Sequence, residues 1–221
     1  MKISKENMSA IMLGDSHDPH GFLGMHKLEQ GNQLVARVWD PGALVITLVC
    51  LKSGMSFDMP RIDECGFFEL IIPRRKQPFP YRLHSKYTDG ERYWVDPYSF
   101  LPSLDNESLA AFNEGWDRRP FNKIGAIPKV HQGTEGVSFV VWAPSAKSVH
   151  LVGDFNHWNP MALPMRSLGS SGCRELFVPH ARIGDKYKFR VLGADGVLRE
   201  KADPFGWRFE PPPGNASIIE A

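Results

Sequence analysis

VARVWDPGALVITLV, residues 35–49, returns as VSFVVWAPSAKSVHLV at residues 137–152. The two stretches align Trp39 with Trp142 and Pro41 with Pro144, 103 positions on. Each holds an alternating apolar run, a Trp, a turn with Pro and a second apolar run, which is the pattern of two strands joined by a turn. The likeness continues outward. GFFELIIP (66–73) matches GCRELFVP (172–179), and YRLHSKYTDG (81–90) matches YKFRVLGADG (187–196), both 106 positions apart. DPYSF from Asp96 and DPFGW from Asp203 close the two copies at a spacing of 107. Anchors in one order with so little drift mark an internal duplication. A period this long makes each copy a domain, because solenoid units run only about 20–50 residues.

Within the copies the apolar runs are short and alternate: LVARVW, ITLVCL, FFELII and YRLHSKY, then VSFVVW, VHLVGD, RELFVP and YKFRVL. Turns rich in Gly, Pro, Asn and Asp separate them, and Asp89-Gly90 and Asp195-Gly196 fall where hairpin turns belong. The predicted fold is all-β, two tandem immunoglobulin-like β-sandwich modules joined by a short helical connector. LDNESLAAFNEG supplies that helix, with Asp or Asn as its cap, Leu109 and Phe112 three apart, and Gly115 as its stop. The following WDRRPFNKIGAIP carries Trp116 and Phe121, which an open linker would lack. The domains are therefore expected at 1–104 and 125–221, with the connector over 105–124.

With 221 residues, 42% of them hydrophobic, the chain can bury a core in each domain. Lys and Arg number 26 against 25 Asp and Glu. A net charge of +1 gives no field for phosphate backbones or anionic lipid, so neither nucleic acid nor membrane is expected as a partner. The opening MKISKENMSAIMLGDS lacks the apolar run of a signal peptide, and no segment nears the roughly 20 apolar residues of a membrane span. A cytoplasmic location is expected. Cys50, Cys65 and Cys173 show no paired spacing and are expected as free thiols. His17, His20 and His26, with Asp18, raise the thought of a metal, but Pro19 and Gly21 break the helix that would align them. No metal and no cofactor are expected, since nothing resembles a phosphate loop, a nucleophile elbow or a zinc ribbon. The clusters RRK (74–76) and DRR (117–119) read as solvated loops or contacts to a neighbouring domain.

The ordered segments HDPHGFLGMH, VWDPGA, GFFEL, YRLH, DPYSFLPSL, FNEGWDRRPFNKIGAIP, VSFVVWAPSAKSVHLVGDFNHWNP, ELFVP, DKYKFRV and KADPFG closely resemble the amino-terminal region of bacterial 1,4-alpha-glucan (glycogen) branching enzymes, from about Asp18 to Ile219. The resemblance implies a first sandwich module, a second of the glycogen- and starch-associated carbohydrate-binding type, and then a catalytic α-amylase-type barrel. It implies a parent activity that cleaves an α-1,4-glucan and rejoins the piece through an α-1,6 bond. The implied partners are α-1,4-glucan, as glycogen or maltooligosaccharide, and the barrel. In the family the catalytic carboxylates lie on barrel strands. Here the pattern closes at PGNASIIEA, without the strand–helix alternation of a barrel of roughly 250 residues. No catalysis is therefore expected from these residues.

A glucose ring offers an apolar C–H face and a rim of hydroxyls, so it suits a flat aromatic flanked by amides or charges. GDFNHWNP (153–160) supplies such groups in one loop. By resemblance to glycan-binding relatives, Trp158 stacks on the sugar and Lys188 joins the site. Asn156 and Asn159 are added on chemistry alone. Where those relatives carry a second Trp after the hairpin glycine, Gly196 is followed by VLRE, and an expected Asn is Ser217. The competing reading packs Trp158 under its own loop or against a barrel, with Asp154 and Asn156 bonding backbone in the turn. On that reading both modules only cover and position the barrel; a third reading is a standalone glycan-binding or regulatory protein. The first copy's loop, CLKSGMSFDMP, is three residues shorter between shared anchors and lacks Trp, which suggests a structural spacer. Trp39 and Trp142 are expected in the cores.

Overall fold

The structure is a computed structural model that describes residues 5–28, 32–159 and 163–221. The chain falls into two compact units, Met1–Met8 with His20–Ser99, and Ser9–Pro19 with Phe100–Ala221. Helix α1 (Lys5–Leu13), rich in helix formers, lies where the sequence suggested no element.

The first unit has seven strands among the described residues: β1 (Gly24–Lys27), β2 (Gln33–Trp39), β3 (Val45–Cys50), β4 (Ser56–Met59), β5 (Phe67–Pro73), β6 (Tyr81–Tyr87) and β7 (Gly90–Trp94). They form antiparallel sheets ordered β1-β2-β5 and β4-β3-β6-β7. Alternation decides which face is buried: in β6, Tyr81, Leu83 and Ser85 point inward while Arg82 and Lys86 are exposed. Leu34, Ala36 and Val38 of β2 meet Ile46 and Leu48 of β3 and Leu83 of β6 in one core, so the sheets pack as a sandwich. The β6–β7 turn is Thr88–Asp89, and Gly90 opens β7 opposite Tyr87.

The main segment of the second unit carries helix α2 (Asn106–Asn113), whose N-cap Asp105 accepts from the Ser108 backbone N–H at 2.6 Å. Its strands are β8 (Gly125–His131), β9 (Thr134–Trp142), β10 (Ser148–Gly153), β11 (Arg166–Ser167), β12 (Cys173–Val178), β13 (Lys186–Leu192), β14 (Leu198–Lys201), β15 (Arg208–Phe209) and β16 (Ser217–Ile218). One sheet runs β11-β12-β9-β8 and the other β10-β13-β16-β15, with β14 paired to β13. Phe139 of β9 meets Tyr187 of β13 edge to face at 5.1 Å, one of the contacts that lock the layers. Leu109 of α2 seals Val140, Leu168 and Cys173.

The duplication is repeated at the level of single bonds. Asp40 N–H donates to Gly66 O at 2.9 Å, and Ala143 N–H to Gly172 O at 2.8 Å. The Tyr81 hydroxyl donates to Asp96 Oδ2 at 2.6 Å, and the Tyr187 hydroxyl to Asp203 Oδ2 at 2.6 Å. The same carboxylates then accept Tyr98 N–H at 2.9 Å and Phe205 N–H at 2.8 Å. The likeness also extends upstream of the anchors legible in the sequence. Single 3-10 turns, Pro19–Gly21 and Pro120–Asn122, precede buried Leu23 and Ile124.

Residues 9–19 form a strap on the second unit. Ser167 N–H donates to His17 O at 2.9 Å, and the buried Arg174 guanidinium lies 3.4 Å from His17 Nδ1. Gly14 lies so close to His150 that a Cβ would come within 2.3 Å of its ring. His26 Nε2–H instead donates to Leu23 O at 2.7 Å. Among the described residues no group of three or more His, Cys, Asp or Glu could hold a metal, and no helix is long and apolar enough to cross a membrane. The three cysteines are free thiols.

One core expectation is corrected. Trp142 is 53% exposed and touches Phe112 of α2 only edge-on, at 6.5 Å. It ends β9 opposite Cys173, whose small side chain covers little of an indole. Trp39 is half-buried: it stacks on its larger partner Phe67 at 5.6 Å and donates from Nε1 to Cys65 O at 3.0 Å.

Candidate functional site

β10 and β13 run antiparallel with Val152 opposite Lys188 and His150 opposite Arg190. Opposed residues share a sheet face, and Tyr187 and Phe189 turn inward, so Lys188 and Arg190 lie on the outer face. β10 runs through Gly153 into a 3-10 turn, Asp154–Asn156, followed by His157 and Trp158. Gly153 is required by close approach, since a Cβ there would meet Lys186 O at 2.4 Å and the Phe155 ring at 2.8 Å.

His157 and Trp158 are both left-handed, with φ of 53° and 57°. Such residues cost roughly 1–2 kcal/mol each outside glycine, so the loop must be held by its bonds. Trp158 N–H donates to Gly153 O at 2.9 Å. Asn156 Oδ1 accepts Gly153 N–H at 3.0 Å, and its Nδ2 donates to Leu151 O at 3.1 Å and Asn159 O at 3.3 Å. Asp154 accepts Trp158 Nε1–H on Oδ1 and Lys186 N–H on Oδ2, both at 2.8 Å. Phe155 anchors the turn on Phe139 at 5.3 Å. The outcome is a Trp fixed at its polar edge yet 37% exposed.

Each predicted residue has a distinct place. Trp158 stands at the loop's tip and Asn159 follows it, exposed. Asn156 sits inside the loop with its amide committed to backbone, so a sugar hydroxyl would have to displace a bond already made. Lys188 lies half-buried on the outer face of β13, two residues beyond the point where Asp154 ties the loop to that strand. Ser217 is fully buried, and its Oγ accepts Asp203 N–H at 2.8 Å, so it belongs to the sandwich interior. At the β13–β14 hairpin, Val197 and Leu198 are half exposed, and Arg199 pulls Asp195 down to about 2 by a direct hydrogen bond.

Of two further polar residues, the sequence reading named Asp154 only as bonding backbone in the turn and missed Glu210. Asp154 is the hub of the loop; its signal was an acid four positions before a Trp in a turn. Glu210 pairs with Lys186 at 2.8 Å and is held below the usual carboxylate range by that bond, with Lys188 adding to the field. Opposite Arg190, His150 is pushed down to about 4 by burial and by the charge of that residue, so it is neutral near pH 7.

Residues 4–98 match the family described as alpha-1,4-glucan branching enzyme GlgB, N-terminal domain. Residues 123–206 match carbohydrate-binding module 48, the isoamylase N-terminal domain. The chain is 44% identical over 218 residues to a 1,4-alpha-glucan branching enzyme GlgB of Mycolicibacterium paratuberculosis, covering 96% of this chain and 29% of that protein. A second such enzyme, from Frankia casuarinae, is 39% identical over 98% of this chain and 27% of its own length. The chain therefore spans under a third of these curated relatives. Among solved structures, a pullulanase complexed with maltotetraose from an Anoxybacillus species is similar at a TM-score of 0.39 and 15% identity, over 88% of this chain and 26% of that one.

Proposed function

The chain belongs, module by module, to the N-terminal region of the 1,4-alpha-glucan branching enzyme family, and from that premise we propose that its second sandwich holds or orients α-1,4-glucan for a catalytic α-amylase-type barrel. In the whole protein the barrel cleaves an α-1,4 bond and rejoins the freed chain as an α-1,6 branch. That retaining transfer takes a carboxylate nucleophile and an acid about 5 Å apart. The part played by this chain comes before the chemistry: it keeps the polymer near the site.

The observation that carries the reading is the part-exposed indole of Trp158, fixed by Asp154 in a left-handed loop at the end of the strand pair that bears Lys188. An indole held at its N–H edge keeps its ring for the C–H face of a glucose, while Lys188 suits the hydroxyl rim. One such contact is weak, because ordering costs absorb much of the gain, and retention comes from a polymer that offers many equivalent rings.

The test is a titration of the chain and of Trp158→Ala with maltoheptaose and glycogen, followed by tryptophan fluorescence and affinity electrophoresis. The reading expects saturable binding and a loss of roughly three- to tenfold in the variant, the size of one aromatic contact. Unchanged binding in the variant would overturn the role of Trp158. A second reading, in which the modules cover and position the barrel, is favoured by Trp116, Trp207 and Trp142, exposed by 77%, 67% and 53% on the second unit. Absence of glucan binding by either protein would select it.

A further inference from the structure

We propose that the outer face of the first sandwich carries a second glucan-contacting platform, built on Tyr93. The proposal rests on the reading that this chain holds α-glucan, and it gives the first copy a share in that role. Tyr93 lies on β7, the edge strand of its sheet, directly opposite His84 of β6. The two rings stack at 4.2 Å with an interplanar angle of 5°, and the Arg82 guanidinium lies 4.7 Å from the Tyr93 centroid. Both neighbours reach it from β6, the strand on one side of β7. On the other side the sheet ends among the described residues, and Tyr93 is 57% exposed. The stacked His84 ring backs one face, and more than half of Tyr93 stays exposed.

A backed ring is a better platform than a free one. An exposed Tyr normally loses rotamer freedom on binding, whereas the stack and the cation–π contact have already restricted this one. The rim is polar: Glu91, its side chain 58% exposed, accepts from His84 Nε2–H at 3.1 Å, and Arg82 is exposed. An aromatic face with a carboxylate and a guanidinium at its edge suits a pyranose, whose C–H face stacks while its hydroxyls bond at the rim.

The duplication supplies an independent observation. Arg82 stands opposite Val49 on β3, as Lys188 stands opposite Val152 on β10. These are matched positions of the two copies, so each copy places one basic side chain at the same point of its outer face. What differs is the source of the aromatic. In the second copy it comes from the loop after β10; in the first that loop is shorter, and the ring comes from the edge strand.

The test is affinity electrophoresis of the full chain in gels containing glycogen, with maltoheptaose as competitor. It compares the wild type with Tyr93→Ala, Tyr93→Phe, Trp158→Ala and the double variant Tyr93→Ala/Trp158→Ala. Near-ultraviolet circular dichroism checks that each is folded. The expected result is a three- to tenfold loss of apparent affinity in Tyr93→Ala, retention in Tyr93→Phe, and a further loss in the double variant, the range of a single stacking contact. Loss in Trp158→Ala with wild-type affinity in a folded Tyr93→Ala would overturn this inference and leave the glucan reading standing. Loss in Tyr93→Ala with no loss in Trp158→Ala would support the platform and remove Trp158 from the site. A wild-type chain that ignores glycogen would overturn both.

Discussion

Asp154 carries two donors on one carboxylate, the indole N–H of Trp158 and the backbone N–H of Lys186, each at 2.8 Å. An amide has a single oxygen, so Asp154→Asn must give up one of them. We expect the variant to lose roughly 0.5–1.5 kcal/mol of stability, the net worth of one hydrogen bond. We also expect a red shift in tryptophan emission and a glucan affinity between those of the wild type and Trp158→Ala. Unchanged emission and affinity would mean that the indole is held by something other than this bond. The sequence left open whether Trp158 awaits a sugar or packs under its own loop, because an aromatic among Asp, Asn and His fits neither a core nor a plain turn. It pointed to Asp154 as bonding backbone in the turn, but not to its bonds to the indole and to the backbone of a strand 32 positions away. Trp142 misled for the opposite reason: a Trp after an apolar run looks buried, but its exposure was decided by the small Cys173 across the ladder.

Strand β11 is only two residues long, yet it is bound to β12 by a buried ion pair, Arg166 to Glu175 at 2.6 Å. Glu175 also accepts Ser103 N–H at 3.1 Å, and Arg166 donates to Phe100 O at 3.1 Å, so the strand edge is pinned to the incoming chain. Glu175→Ala would leave the guanidinium buried without its counter-charge, and a loss of about 3–5 kcal/mol is expected in urea unfolding. A loss under 1 kcal/mol would show that solvent reaches Arg166. Its repeat partner Glu69 pairs instead with Arg37 on the neighbouring strand, at 2.9 Å, so the acid is kept while the base has moved. Longer strands were legible from period-two runs. Strands β11, β15 and β16, two residues each, have no period to read. Strand β8 was not among the runs read from the sequence, since Pro128 interrupts it; β8 is an edge, where a proline costs no ladder bond that matters.

Across the whole molecule the two units carry opposed titrations. In the first, burial pushes Asp96 up to about 6, although Tyr81 and the Tyr98 N–H bond it. The folded form then holds its proton more tightly than the unfolded chain. That contribution is full below the ordinary carboxylate range near 4 and is lost as pH rises through about 6. In the second, His150 is pushed down to about 4, and burial lowers His180 as well. Their contribution is full above about 6.5 and is lost as pH falls toward 4. Asp203 is raised by burial and works against the histidines within the same unit. We expect hydrogen exchange, read as opening free energies, to show residues 20–99 gaining protection from pH 7 to 5 while residues 100–221 lose it; a change of the same sign in both would refute the assignment. The strap raises a question of timing. Residues 9–19 leave the ribosome before the strands of either sandwich, but Arg174, on which His17 rests, follows some 157 positions later. At 5–20 residues per second that is a wait of roughly 8–30 s. The first sandwich can close in that interval, so residues 9–19 must stay unclaimed meanwhile, and the second unit is finished by a segment made ahead of the whole first sandwich.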